Sequence, residues 1–265
     1  MIIQGKYEGV RMIDSHIHAD TRPYEDFEKM AIAGLDIAIT CAHDPLRMTS
    51  ADVVMDHWHR IINNDVKRAA DNGLKLYAAI GIHPRSISKD FDIALSKLSS
   101  LVHNDNVVAI GEIGLEKVSK SQKDIFKIQL SLAEDLNVPV MVHTPRTNKK
   151  EVTEVTLDII EENISPDMVV VDHVDDSIIE SVIELGTMLG VTVQPQKMTP
   201  DEAVCLLEEY GIERVFLDSD ISSSPSDPLS VPKTVHKMKL AEFREEDIKK
   251  VSNDNALNFF LGNKI

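Results

Sequence analysis

Asp14, His16 and His18 alternate with Ser15 and Ile17 at the end of an apolar stretch. Side chains at i and i+2 of a β-strand share a face. The spacing therefore predicts an acid and two adjacent imidazoles at a strand end. Neutral imidazole is the commonest protein metal ligand, so two on a rigid strand form half of a metal site. The same kind of ending recurs downstream. Glu112 closes the alternation Val108-x-Ile110-x-Glu112, His143 and His173 each follow a short apolar run, and Asp218 and Asp220 are again two apart. Four imidazoles with two or three carboxylates exceed what one ion requires, whereas a pair of cations about 3.5–4 Å apart, sharing one carboxylate, uses them fully. Glu112, the lone carboxylate in the middle of the set, is the natural bridge. Each strand-end histidine taken singly is equally well a hydrogen-bonded loop residue; the whole set at equivalent places is not.

The remaining histidines separate by the same geometry. His57 and His59 are two apart in a helical pattern, where i and i+2 point to different sides, and read as half-buried helix residues. His103 and His236 read as surface or helix-end residues. His43 and His83 sit at expected strand ends, where either could face the pocket; His83 is the stronger candidate to contact substrate. Arg85 and Arg146 follow His-Pro and His-Thr-Pro turns in an acidic chain, and guanidinium groups near paired metals suit an anionic substrate such as a phosphate. A solvated loop arginine is the competing reading for each. Lys149 and Lys150 read as exposed residues at a helix N-terminus.

The elements that must position these residues alternate. Short apolar runs at 10–16, 36–41, 74–82, 107–113, 138–142, 168–172, 191–194 and 214–219 are separated by helical patterns at 24–33, 51–72, 91–103, 122–137, 151–163, 177–187 and 200–210. Further helices are expected at 231–241 and 245–260. In the helix over 122–137, Ile125, Ile128, Leu132 and Leu136 recur at helical spacing. Eight strands, each followed by a helix, predict one (β/α)8 TIM barrel spanning 1–265, whose active site lies at the C-terminal strand ends. The 265 residues fit one such domain, and 43% hydrophobic with 27% charged residues is an ordinary globular mixture. A net charge of −16 argues against broad adhesion to nucleic acid or anionic membrane, although bound divalent cations reverse the sign locally. Cys41 and Cys205 are too few for a thiolate metal motif or a disulfide framework and read as small core residues. No apolar run approaches membrane-spanning length and no secretory h-region is present. The expectation is a soluble cytoplasmic protein without membrane partners, a monomer or small homo-oligomer.

Several stretches together carry a resemblance. Asp14-Ser15-His16-Ile17-His18, Gly81-Ile82-His83-Pro84, Gly111-Glu112-Ile113-Gly114-Leu115, the runs from Gln129 to Ala133 and Pro139 to His143, Asp172-His173, and the ending from Asn255 to Gly262 resemble TatD-like metal-dependent hydrolases of the amidohydrolase superfamily, in the family's order. The resemblance implies a two-metal site: residues matching His16, His18, Glu112 and the strand-eight Asp hold one ion, and those matching Glu112, His143 and His173 hold the other. The family's Glu-Thr-Asp becomes Asp218-Ser219-Asp220, which aligns Asp220 with the ligand and Asp218 with the supporting acid. The usual His-x-Phe-x-Gly is replaced by His173-Val174-Asp175-Asp176, and the usual His-x-Arg is stretched to His143-Thr144-Pro145-Arg146. The chain reads as a divergent branch.

The resemblance and the residue set imply hydrolysis by a water that two divalent cations (Zn²⁺, Mg²⁺ or Mn²⁺) acidify. Asp220, a ligand with a free oxygen, accepts the proton, Glu112 bridges, and Asp14 and Asp218 orient the ligands. His83, Arg85 and Arg146 bind substrate. Family members are best known as deoxyribonucleases, so an anionic substrate is expected, DNA or a small phosphoester. Two other readings stay open. One is an amidohydrolase cleaving a C–N or ester bond in a small metabolite, against which Glu112 stands where many amidohydrolases carry a carbamylated lysine. The other is a non-catalytic metal-bound scaffold.

Overall fold

Strands buried on both faces read as near-continuous apolar runs, and Val107–Gly114 and Val140–His143 are buried throughout. The computed structural model describes residues 11–42 and 48–262. Its strands are β1 (Met12–Ile17), β2 (Leu35–Cys41), β3 (Lys75–Ile80), β4 (Val107–Gly114), β5 (Val140–His143), β6 (Val169–Val171), β7 (Met188–Thr192) and β8 (Val215–Asp218). They pair in parallel, in chain order, as one 8-stranded sheet. A helix follows each strand. The sheet curls until β8 meets β1: the His18 amide donates to Ile221 O at 2.8 Å and the Asp220 amide to His16 O at 2.9 Å. Asp14 reinforces that seam from below, its carboxylate accepting from the Ser219 amide at 3.0 Å and from the Ser219 hydroxyl. The architecture is a nearly closed (β/α)8 TIM barrel.

Two apolar layers hold it. Between strands and helices lie Phe126 and Leu130 of the helix Lys120–Leu136 and Trp58 of the helix Ala51–His59, with the outward residues of the strands. Inside the barrel, Ile13, Ile39, Val108, Met141, Val170 and Phe216 pack on Phe260 of the closing helix Asn255–Leu261. The Phe216 and Phe260 rings are 5.5 Å apart. The barrel is thus filled at one end, and the candidate ligands stand at the strands' C-terminal ends.

Several expectations are corrected. Strand seven begins at Met188 rather than at 191, and the preceding helix is only Ile179–Leu185. Gly186, at φ 85°, ends that helix, and the glycine at 190 hides the strand's start in the sequence. The expected helix over 51–72 contains a π-helical stretch, Arg60–Asp65, and the expected helix over 245–260 another, Lys250–Asp254; an extra residue per turn leaves no periodic signature. Ile128 is exposed, because the buried face of its helix runs through Ile125, Phe126, Gln129, Leu130 and Ala133. Ile110 packs in the outer layer, unlike Val108, because the β3–β4 pairing shifts between Val107 and Ala109, which puts Val108 and Ala109 both inside the barrel. Cys41 is buried as expected, but Cys205 is exposed on its helix. His57 is half-buried and lies 2.9 Å from Asp20, whereas His59 is exposed. His43 lies outside the described residues. No helix among the described residues is long and apolar enough to cross a membrane.

Gln129 ties the helix Lys120–Leu136 to the end of β3. Its Oε1 accepts from the Ile82 amide at 2.7 Å, and its Nε2 donates to Ile82 O at 3.2 Å. A Gln129→Leu variant leaves both buried backbone groups without a partner, and its urea-derived stability is expected to fall by about 2–4 kcal/mol. A loss below ~1 kcal/mol would show that this amide does not anchor the helix.

Candidate metal centre

Glu112, from the end of β4, stands at the middle of the strand-end cluster. Its Oε1 lies 2.9 Å from His143 Nδ1 and 3.1 Å from His173 Nε2. Its Oε2 lies 3.7 Å from His16 Nε2 and 3.7 Å from His83 Nε2. His16 and His18 bring their Nε2 atoms within 3.2 Å of one another, and Asp220 Oδ1 is 3.0 Å from His18 Nε2 and 3.9 Å from His16 Nε2. The barrel therefore gathers His16, His18, Glu112, His143, His173 and Asp220 from five strand ends. Asp220 has a left-handed backbone (φ 41°), as does His173 (φ 60°). Such a conformation is uncommon outside glycine and is retained at these two positions of the cluster.

The donors fit divalent ions. His16, His18 and Asp220 place one atom each within 4.8 Å of one another, as do His83, Glu112 and His143, and as do His16, Asp172, His173 and Asp218. These are imidazole nitrogens and carboxylate oxygens, a set that suits zinc or manganese. Asp218 is completely buried and its Oδ1 has no hydrogen-bond partner, a further sign of carboxylate in excess of the local donors.

Titration follows from the crowding. Burial alone would raise Glu112, but His16, His143 and His173 hold it well below the usual carboxylate range. Burial disfavours a charge on His143, yet Glu112 and Glu116 push it up. Asp220 is likewise held low against burial by Lys197 and His18. Asp218 moves the other way, pushed well up by burial and by the neighbouring Asp172. Burial raises Asp14 to about 7 in spite of its bonds to Ser219. His173 is lowered to about 4 by burial and by Lys197.

The second rank of residues falls as follows. His83 is buried behind Glu112 and His143; its Nδ1 accepts from the Arg85 amide at 3.1 Å, which leaves the proton on Nε2, toward Glu112. Asp14 faces Ser219 at the seam rather than a ligand ring. Asp218 Oδ2 accepts from Thr192 at 3.1 Å. A cavity of about 780 Å³ opens over the cluster, with Arg85, Arg146, Lys149 and Lys197 in its wall. Arg85 is 3.6 Å from Glu116, and Arg146 reaches Gln196 at 3.4 Å. Lys149 corrects the sequence reading: it is largely covered, paired with Asp175 at 2.9 Å. Asp220 Oδ2 is not free, because Lys197 Nζ binds it at 2.6 Å and also lies 2.9 Å from His173 Nδ1.

Lys197, Glu116 and Thr192 escaped the sequence reading. Glu116 lies 3.1 Å from His143 Nε2 and follows the matched Gly111–Leu115 stretch, so proximity to Glu112 was a usable signal. Lys197 stands in the loop beyond β7, whose late placement in the sequence concealed how close this loop comes to β8.

Similarity to known proteins agrees with this geometry. The family described as TatD related DNase matches residues 13–261. An uncharacterized metal-dependent hydrolase of Methanocaldococcus jannaschii is 39% identical over 251 residues, covering 94% of this chain and 99% of that protein. The TatD-like protein of Archaeoglobus fulgidus superposes with a TM-score of 0.80 at 31% identity, over 94% of this chain and 99% of that one. More distantly, a 3'-5' ssDNA/RNA exonuclease TatD of Yersinia pseudotuberculosis is 24% identical over 209 residues, 69% of this chain and 77% of that protein. With a matching sequence, a matching barrel and imidazoles and carboxylates gathered at its mouth, the chain belongs to the TatD family of metal-dependent hydrolases.

Proposed function

We propose that the barrel mouth holds two divalent cations and hydrolyses a phosphoester. The observation that carries this reading is Glu112, one carboxylate whose two oxygens face His143 and His173 on one side and His16 on the other. His16, His18, Glu112 and Asp220 would hold one ion; Glu112, His143 and His173 would hold the other. Bound there, the ions would polarise the substrate oxygen and lower the pKa of the attacking water toward ~7.

The chain's own residues do the rest. Asp220 accepts the water's proton through the oxygen that faces the cage, and Lys197 on its other oxygen keeps it ionised at neutral pH. His83 presents its Nε2–H toward Glu112 from 3.7 Å, while His143 and His173 hold that carboxylate's other oxygen. Asp14 holds β1 against β8, so that His16, His18 and Asp220 keep their relative positions. The cavity wall carries four cations, Arg85, Arg146, Lys149 and Lys197, and four carboxylates, Glu112, Glu116, Asp175 and Asp220. Two divalent ions leave that balanced wall net positive, which favours an anionic substrate despite a chain charge of −16. The substrate is a DNA end or a small phosphoester; support for DNA comes from the name of the Yersinia relative. Overall acidity favours a small substrate, and cleavage of an amide or lactone is the second reading.

Metal-stripped protein given Mn²⁺ or Zn²⁺ is expected to gain thermal stability, by about 2.7 kcal/mol when the free ion is at 100 times its Kd. An unchanged Tm across millimolar ion would contradict the cage. The loaded protein should hydrolyse bis(p-nitrophenyl) phosphate or single-stranded DNA in preference to a panel of amides and lactones, and a chelator should abolish the activity. Turnover of the amides or lactones alone would replace the phosphoester reading with the second one. Glu112→Gln should lower kcat/KM by at least ~10²-fold and reduce the bound metal; unchanged metal content would refute the bridging role.

A further inference from the structure

His16 uses both ring nitrogens. Nε2 faces His18, Glu112 and Asp220, while Nδ1 is hydrogen-bonded to Asp172 Oδ2. Asp172 follows β6, is buried, and makes a second set of contacts through Oδ1. That oxygen accepts from the His173 amide at 2.9 Å and lies 3.5 Å from the Thr192 hydroxyl, whose proton goes to Asp218 at 3.1 Å. The Thr192 Oγ1 lies in turn 2.8 Å from His173 Nδ1. One carboxylate therefore grips the ring of His16 and the left-handed backbone of His173, which belong to the two halves of the cage.

Space for this carboxylate is made on purpose by a neighbouring strand. A Cβ at Gly190 of β7 would fall 2.0 Å from Asp172 Oδ1 and 2.8 Å from its Cγ. Gly190 has no positive φ, so its need for glycine is one of room alone, the close-approach case for a glycine inside a strand.

We infer that Asp172, seated in the notch left by Gly190, is the positioning residue that couples the two halves of the metal cage by fixing Nδ1–H of His16 and the backbone of His173. The inference rests on the two-ion reading above. With Nδ1–H donated to Asp172, the Nε2 lone pair of His16 is directed at the cage, and the ring cannot rotate out of it. An amide at 172 reverses that preference: its NH₂ can donate to Nδ1, which turns the Nε2–H toward the ions.

The test compares wild type, Asp172→Asn and Gly190→Ala, each stripped of metal and shown to be folded by circular dichroism. Mn²⁺ or Zn²⁺ is titrated in against a chromophoric chelator. Both variants are expected to bind ions about 10–100-fold more weakly, the usual cost of losing a group that orients a ligand. Proton spectra should show a far-downfield, exchange-protected His16 Nδ1–H in wild type that is missing from both variants. If Asp172→Asn does not fold, Gly190→Ala decides. Variants that bind two ions within twofold of wild type, or that keep the downfield proton, overturn this role while leaving the two-ion reading intact. A wild-type protein that binds no divalent ion overturns both.

Discussion

Buried carboxylates require compensating positive charge, and the mouth of this barrel is organised by that requirement. Glu112, Asp172 and Asp220 are all removed from water, where an uncompensated ionised acid is very costly. The imidazoles of His16 and His143, both pushed upward, and the ammonium of Lys197 supply the compensation, and His173, held low, adds only its contact with Glu112. Asp218, which finds no such partner for one oxygen, is pushed toward its neutral form instead. Divalent cations would satisfy the same requirement with more charge per atom, in place of the proton affinity that the carboxylates raise at His16 and His143.

The scaffold makes this crowding tolerable by separating its layers. Apolar side chains fill the barrel between the closing helix and the strand ends, which leaves the candidate ligands gathered at one rim. At the seam, β8 and β1 meet through the amides of His18 and Asp220. Asp14 and Ser219 are placed there, inside the barrel wall, and hold together the two strands that supply His16, His18 and Asp220. Structural closure and ligand placement thus depend on the same pair.

Charge placement also reconciles an acidic chain with the anionic substrate proposed for it. Most of the acids are spread over the outer helices, while Arg85, Arg146, Lys149 and Lys197 gather around the cavity. Long-range repulsion is screened within about 8–10 Å at physiological salt, so the local wall, not the net charge, governs binding at the site. Departures after β5 and β6 from the family pattern fall on this same wall: Arg146, Val174 and Asp175 line the cavity.

Strand-end chemistry was legible in the sequence because it depends on spacing along single strands. His-x-His identifies its face without reference to neighbours, whereas the alternation before Glu112 breaks at Ile110 and Asp220 stands past β8 in a left-handed conformation, so for these two only the residue type at a strand end was legible. The count of alternating elements was equally local, and it determined the barrel. Everything that depends on a partner strand was not legible. The register shift at Val108, the start of β7 hidden by Gly190, the covering of Lys149 and the reach of Lys197 to Asp220 arise from contacts between residues far apart in the chain. Sequence alone determined which residue types could form the cage; tertiary structure decided which oxygen and nitrogen each one shows to it, because that choice is made by hydrogen bonds from other strands.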